Sequence, residues 1–320
     1  MTTEPAPLIA TAEAPIPTGA HAFWFKGSDG ARLRAAIAPA PERLSGAARG
    51  TVVLSPGRTE PIEKYFEVTG ELQARGFVVL VHDWRGQGLS HRASPDRLKG
   101  HADGHAQYLD DFSRLLDEAA PQLPRPWIML GHSMGAALGA LSLAAGEPRF
   151  AAAFLSAPML GLAAAPRLVP AARLLARAMV FAGQSQAYVM TDGFDPMLGP
   201  FERNILTHDP HRYQRYRDQL KACPDLALGG PTWGWIAFAL DCARLLARPS
   251  AARAADLPMT VVTASDDHLV LNAPARRYAA WAPQARHVEI AGAYHEVLME
   301  TDARRALVWR AFDELVAGVG

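Results

Sequence analysis

Three short stretches carry residue types that together can break an ester or amide bond: Gly131-His132-Ser133-Met134-Gly135, Asp266-Asp267-His268 and Ala293-Tyr294-His295. A serine hydroxyl is a weak nucleophile until a base takes its proton, and the base needs a carboxylate to orient it and to stabilise the imidazolium. The chain order serine, acid, histidine is one of those in which such triads occur. Ser133 is therefore the candidate nucleophile and His295 the candidate base. Asp267 is placed ahead of its neighbour Asp266 as the acid, because a loop needs several residues to turn back over a strand end; adjacency keeps both open. A Gly-x-Ser-x-Gly match arises by chance in roughly one chain in ten at this length, so the flanking elements decide whether the serine is presented or merely sits in a turn.

Those elements are the required ones. The run Trp-Ile-Met-Leu before Gly131 reads as a buried strand and Ala-Ala-Leu-Gly-Ala-Leu-Ser-Leu-Ala-Ala-Gly after Gly135 as a helix. A sharp strand-to-helix turn needs glycine on both flanks for the helix to pack closely on the sheet. The acids directly follow a predicted strand over 258–264, and His295 directly follows one over 286–292. Loops after parallel strands open on one sheet edge, so the three groups converge there. The helix start offers free backbone N–H groups to a developing oxyanion, with Met134 first. A second donor is expected from the loop after strand 51–55, at Arg58.

A hairpin around Ser28-Asp29-Gly30 opens the fold, and strands and helices then alternate to residue 156. Residues 158–253 hold helical stretches and no convincing strand, after which alternation resumes to a closing helix over 302–317. This pattern predicts an α/β fold with a mostly parallel central sheet flanked by helices and a helical cap insertion. The expected division is a flexible Pro- and Ala-rich leader over 1–18, a core over 19–157 and 254–320, and a cap over 158–253.

Lysine plus arginine equals aspartate plus glutamate, at 32 each, a balance that lacks the basic excess needed for nucleic acid. Cys223 and Cys242 are too few for a disulfide framework and read as a reduced pair. The amino terminus lacks the basic and apolar regions of an export signal, which points to a cytoplasmic protein. Pro126 to Gly146 carries no charged residue, yet Gly131 and Gly135 split it into a strand and a helix rather than a membrane span. His101 and His105 have the spacing of a zinc pair without the glutamate of a zinc protease, and Arg85-Gly86-Gln87-Gly88 lacks the third glycine of a dinucleotide loop. No metal and no cofactor are expected.

At this point the chain resembles the α/β-hydrolase superfamily, and within it the lysophospholipase and monoacylglycerol lipase branch. The likeness is carried by SPGRTEPIEKY (55–65), HDWRGQGLS (82–90), GHSMG (131–135), NILTHDPHRYQR (204–215), GGPTWGW (229–235) and GAYHEVLME (292–300). It implies Ser133, Asp267 and His295 as the triad and the amides of Arg58 and Met134 as the oxyanion hole. Two departures stand out: Pro56 replaces the histidine that usually precedes the oxyanion-loop glycine, and Leu271 stands where many relatives carry a second acid.

The expected activity is cleavage of a carboxylic ester of a lipid-like small molecule through an acyl-enzyme. Trp233, Trp235, Phe238, Met179 and Phe181 of the cap are candidate acyl-channel residues, with Arg58 and Glu60 at the head-group end. Arg173 and Arg177, one turn apart on an apolar stretch, could bring the cap into transient contact with a membrane surface. A short-chain carboxylesterase or an aminopeptidase-like hydrolase would use the same triad. Outside enzymes, a non-catalytic binding protein could share the fold.

Overall fold

The computed structural model describes residues 4–41, 47–163, 166–189 and 199–319. Among these residues, nine strands form one sheet in the order β1-β2-β3-β5-β4-β6-β7-β8-β9. The central strands β4 (Thr51–Ser55), β5 (Val78–His82), β6 (Trp127–His132) and β8 (Met259–Ala264) are buried at every position. Their runs of Val, Leu and Ile do not alternate with polar residues because both faces are covered. From β5 through β4, β6, β7 (Phe150–Ser156) and β8 to β9 (Ala285–Ile290) every pairing is parallel. The hairpin β2 (His21–Lys26) and β3 (Arg32–Ala38) joins this block antiparallel.

Helices cover both faces. On one side α1 (Phe66–Ala74) and α9 (Asp302–Ala317) bury Val68, Leu72, Val308 and Phe312 against the strand residues Val52 and Leu54. On the other, α2 (His105–Ala119), α3 (Met134–Ala144) and α8 (Asn272–Trp281) bury Leu115, Leu138 and Tyr278 against Val53 and Met129. Alternate residues of β4 thus feed opposite core layers, as the strand period requires.

The described residues between β7 and β8 form α4 (Val169–Phe181), α5 (Pro210–Ala222), α6 (Trp233–Leu246) and α7 (Pro249–Ala254), with short 3-10 turns. The Asp209 carboxylate accepts the Arg212 amide at 2.9 Å and Pro210 opens α5, so its start is written in local sequence. Helix α4 packs on α6 through Arg173, whose Nε donates to Asp241 at 2.8 Å, and Arg177 approaches the same carboxylate at 3.7 Å. Arg173 is thereby tied to α6, while the Arg177 side chain stays 58% exposed beside the same carboxylate. The outward face of α4 also presents apolar side chains: Leu174 is 72% exposed and Phe181 96%.

The amino-terminal stretch also differs from the expected flexible leader. Glu4–Ala6 forms β1 at the sheet edge, paired antiparallel with β2. The physical reason lies in Arg34, fully buried with its guanidinium 2.7 Å from both Glu63 and Asp83. Its Nη1 also donates to the Pro7 carbonyl at 3.0 Å, while Glu63 accepts the Ile9 amide at 3.2 Å. A long-range polar anchor of this kind leaves no local mark, and proline is tolerated on an edge strand. Residues 1–3 lie outside the described residues. Among the described residues, no helix is long and apolar enough to cross a membrane.

Candidate active site

Ser133 occupies the turn between β6 and α3 with φ 50° and ψ −112°, a left-handed conformation that a side chain adopts only under constraint. The constraint comes from both sides. The Ser133 amide donates to the Ser156 carbonyl at 2.9 Å, and the Ser133 carbonyl accepts from Ala137 at 3.0 Å and Met159 at 3.1 Å. Gly135 makes the turn possible, because a β-carbon there would sit 2.1 Å from the Ser55 carbonyl oxygen. Helix α3 therefore starts hard against the backbone of the loop that follows β4.

His295 lies beyond the end of β9 and is buried. Its Nε2 is 2.9 Å from Ser133 Oγ and its Nδ1 is 2.7 Å from Asp267 Oδ2. The other Asp267 oxygen accepts the amides of Leu269 at 2.8 Å and Val270 at 2.9 Å. Burial alone would raise the Asp267 carboxyl, but the His295 hydrogen bond and charge together with those amides hold it below the usual carboxylate range. Asp266 turns away to accept the Ser265 hydroxyl at 2.8 Å. Of the two adjacent acids, Asp267 is the one brought to the histidine.

The loop after β4 is fixed by its neighbours. Pro56 offers its carbonyl to Trp84 Nε1 at 2.8 Å, Gly57 its carbonyl to Gln87 Nε2 at 2.9 Å, and the Gly57 amide donates to Glu60 Oε2 at 2.5 Å. A proline in place of histidine leaves this backbone held, since only its carbonyl is used. Met134 is the first residue of α3, where helix geometry gives the amide no intrahelical acceptor.

Above Ser133 and His295 opens a cavity of about 450 Å³, within the size range of small-molecule sites. Arg58, Glu60 and Trp235 line it as expected, whereas Trp233, Phe238, Met179 and Phe181 do not; Phe181 is 96% exposed on α4. Positions 233 and 235 are about 200° apart around a helix, so the two tryptophans of α6 cannot share a face. Phe238 is 2% exposed and packs on Tyr108, with ring centroids 5.1 Å apart. Lining that sequence reasoning missed comes from Met159, Leu162, Ile205, Leu206, Ile236 and Leu269. They sit in loops and on a helix shoulder, where periodicity carries no signal about a tertiary cavity.

The head-group candidates are engaged with protein partners. Glu60 is buried and accepts from Gly57, from Tyr65 Oη at 2.6 Å and from Lys64 Nζ at 2.9 Å. Burial opposes its charge, but Lys64 and His132 outweigh this and bring its pKa down to about 2. Its oxygens are spent on the loop rather than offered to the cavity. The Arg58 guanidinium donates to the Gly229 carbonyl and lies 5.0 Å over the Trp235 ring. His132 also borders the site; burial lowers its pKa to about 4. The ring of His101 bonds Thr232 Oγ1 at 2.9 Å and Asp103 at 3.0 Å, which accounts for both its nitrogens.

The sequence profile of the family described as serine aminopeptidase, S33, matches residues 46–302. The chain belongs to that family. Lysophospholipase L2 of Escherichia coli is 32% identical over 272 residues, covering 81% of this chain and 78% of that protein. Monoacylglycerol lipase of Mycolicibacterium smegmatis is 28% identical over 266 residues, covering 81% and 85% respectively. Among solved structures, a soluble variant of monoglyceride lipase from Saccharomyces cerevisiae with a substrate analogue superposes with a TM-score of 0.72 at 20% identity, over 94% of this chain and 96% of that one. At that identity the likeness carries the fold alone, and the fold is that of the α/β-hydrolases. The family description names an aminopeptidase, while the two relatives are named a lysophospholipase and a monoacylglycerol lipase.

Proposed function

We propose that the protein is a serine hydrolase that cleaves carboxylic esters of lipid-like substrates, lysophospholipids or monoacylglycerols, through an acyl-enzyme on Ser133. The observation that carries this reading is the unbroken relay Asp267–His295–Ser133 at the floor of an apolar-lined cavity. Ser133 Oγ attacks the ester carbonyl carbon while its proton passes to His295 Nε2, and the Asp267 carboxylate stabilises the imidazolium. The oxyanion is met by the amides of Met134 and Arg58. Collapse of the tetrahedral intermediate expels the alcohol, which takes the proton from His295. A water activated by the same imidazole then adds to the acyl-enzyme and releases the fatty acid.

The apolar walls at Met159, Leu162, Leu206, Ile236 and Leu269 suit an acyl chain rather than a charged peptide amino terminus. The named activities of the two relatives support a lipid ester. We place the outer face of α4, with Leu174, Leu175 and Phe181 exposed and Leu168 exposed just before it, against the lipid surface from which such a substrate is drawn. Turnover of lysophospholipids, monoacylglycerols, short nitrophenyl esters and aminoacyl amides at matched concentrations tests the reading. Higher kcat/KM for long-chain esters supports it. A preference for two- to four-carbon esters would make the protein a short-chain carboxylesterase, preference for the amides an aminopeptidase, and absence of turnover and of serine labelling a binding protein.

A further inference from the structure

Beside the triad lies a buried charge cluster that the proposed chemistry does not use. Lys64 Nζ donates to Glu60 Oε1 at 2.9 Å and to Glu296 Oε1 at 2.5 Å, and the side chains of Lys64, Glu60 and Glu296 are 3%, 3% and 6% exposed. The ammonium also lies 4.9 Å over the Tyr216 ring. Burial disfavours the Lys64 ammonium, but Glu296 and Glu60 outweigh it and hold its pKa above the ordinary lysine value. Burial raises the Glu296 carboxyl.

We infer that Lys64 is a positioning residue that braces the oxyanion loop against the histidine loop, an inference resting on the serine-hydrolase reading above. Glu60 belongs to the loop after β4, and its second oxygen accepts the amide of Gly57, one residue before Arg58, at 2.5 Å and the Tyr65 hydroxyl at 2.6 Å. Glu296 directly follows His295, and its amide donates to the Leu206 carbonyl at 2.9 Å. The ammonium between the two carboxylates therefore joins the Glu60 loop to the Glu296 loop, the latter 232 positions beyond the lysine in the chain. His132 extends the cluster, with Nε2 3.9 Å from Glu60 Oε1 and its ring 4.9 Å from that of His295. A buried ion cluster is a poor source of stability, because well-packed apolar residues of similar size are often as stable or more so. What it supplies is fixed geometry: the ammonium must sit where both carboxylates reach it, and each carboxylate is tied to a loop that carries a reacting group.

The test compares Lys64→Met with Lys64→Arg. Losing the bridge lets the loops relax, and a displacement of about 1 Å in a reacting group costs on the order of 100-fold in rate. In Lys64→Met, kcat on a long-chain ester should fall by about 10- to 100-fold with KM within about threefold, and the rate of fluorophosphonate labelling should fall in parallel. Lys64→Arg, whose fork can serve two carboxylates, should recover most of that loss. Lys64→Met that folds with the wild-type melting temperature and wild-type kcat overturns the inference, as does arginine that rescues nothing. Where Lys64→Met does not fold, Glu296→Gln decides: a drop in kcat at constant KM supports the brace, and wild-type kcat overturns it. Wild-type protein that is not labelled at all marks failure of the serine-hydrolase reading itself, whereas labelled wild type with an equally fast Lys64→Met marks failure of the brace alone.

Discussion

Asp267 Oδ2 sits 2.7 Å from His295 Nδ1, while Asp266, one position earlier, spends its carboxylate on the Ser265 hydroxyl. Two acids that sequence alone leaves interchangeable are thus separated by a single register step. Asp267→Asn should lower kcat by about 10³- to 10⁴-fold, because the imidazole loses the partner that fixes its tautomer. Asp266→Asn should stay within about twofold of wild type. Steady-state kinetics on both variants checks the assignment, and an equal loss in the two would contradict it.

Two glycines provide a contrast in stability. A β-carbon on Gly135 would lie 2.1 Å from the Ser55 carbonyl oxygen and 2.4 Å from that of Pro56. Backbone cannot step aside, so Gly135→Ala should destabilise the protein by about 3 kcal/mol or more. In α1, Gly70 meets nothing within 4 Å, and Gly70→Ala should stabilise by about 0.5–1 kcal/mol through helix propensity. Urea unfolding of both variants measures the opposite signs.

The pH dependence of stability has a contribution from His82, buried with Nε2 3.1 Å from Ser55 Oγ. Burial lowers its pKa to about 3, against about 6.5 in the unfolded chain. Between those values the unfolded state binds the extra proton, so this group's contribution is complete above pH 6.5 and is lost as pH falls towards 3. His82→Gln should therefore show a shallower loss of stability on acidification than wild type, by up to about 1.4 kcal/mol per pH unit. Parallel slopes of unfolding free energy from pH 6.5 to 4 would contradict it.

The outer face of α4 predicts a separation of binding from chemistry. Leu174→Ser combined with Phe181→Ser removes two of its most exposed apolar side chains and should weaken sedimentation with lipid vesicles several-fold. Turnover of a monomeric, water-soluble ester should be unchanged. Equal loss on both measurements would show that the helix shapes the cavity and does not dock on lipid.

Much of the site is legible in the sequence because each triad residue lies in the turn or loop after a strand, and parallel strands deliver their following loops to one edge. Ser133 and His295 needed only that topology and their order. The cavity lining is less legible, since Trp233 and Trp235 differ only by which way α6 rolls on its neighbours. The Glu60 carboxylate reads as a head-group contact until Lys64 and the Gly57 amide are seen to occupy it. The amino-terminal strand escaped because its anchor, Arg34, is held by Glu63 and Asp83, residues far along the chain whose pairing leaves no periodic trace. Helix α4 was legible as a helix, but not the inward pairing of Arg173 with Asp241 that turns its leucines outward.

The most direct measurement is mass spectrometry of the intact protein after exposure to a fluorophosphonate, beside hydrolysis of a long-chain monoacyl ester, for wild type and Ser133→Ala. The wild type should gain one adduct mapping to Ser133 and should turn the ester over, and the variant should fold, take no label and lose at least about 10³-fold in rate. A labelled or active Ser133→Ala protein, or a wild type whose adduct maps elsewhere, would contradict the account.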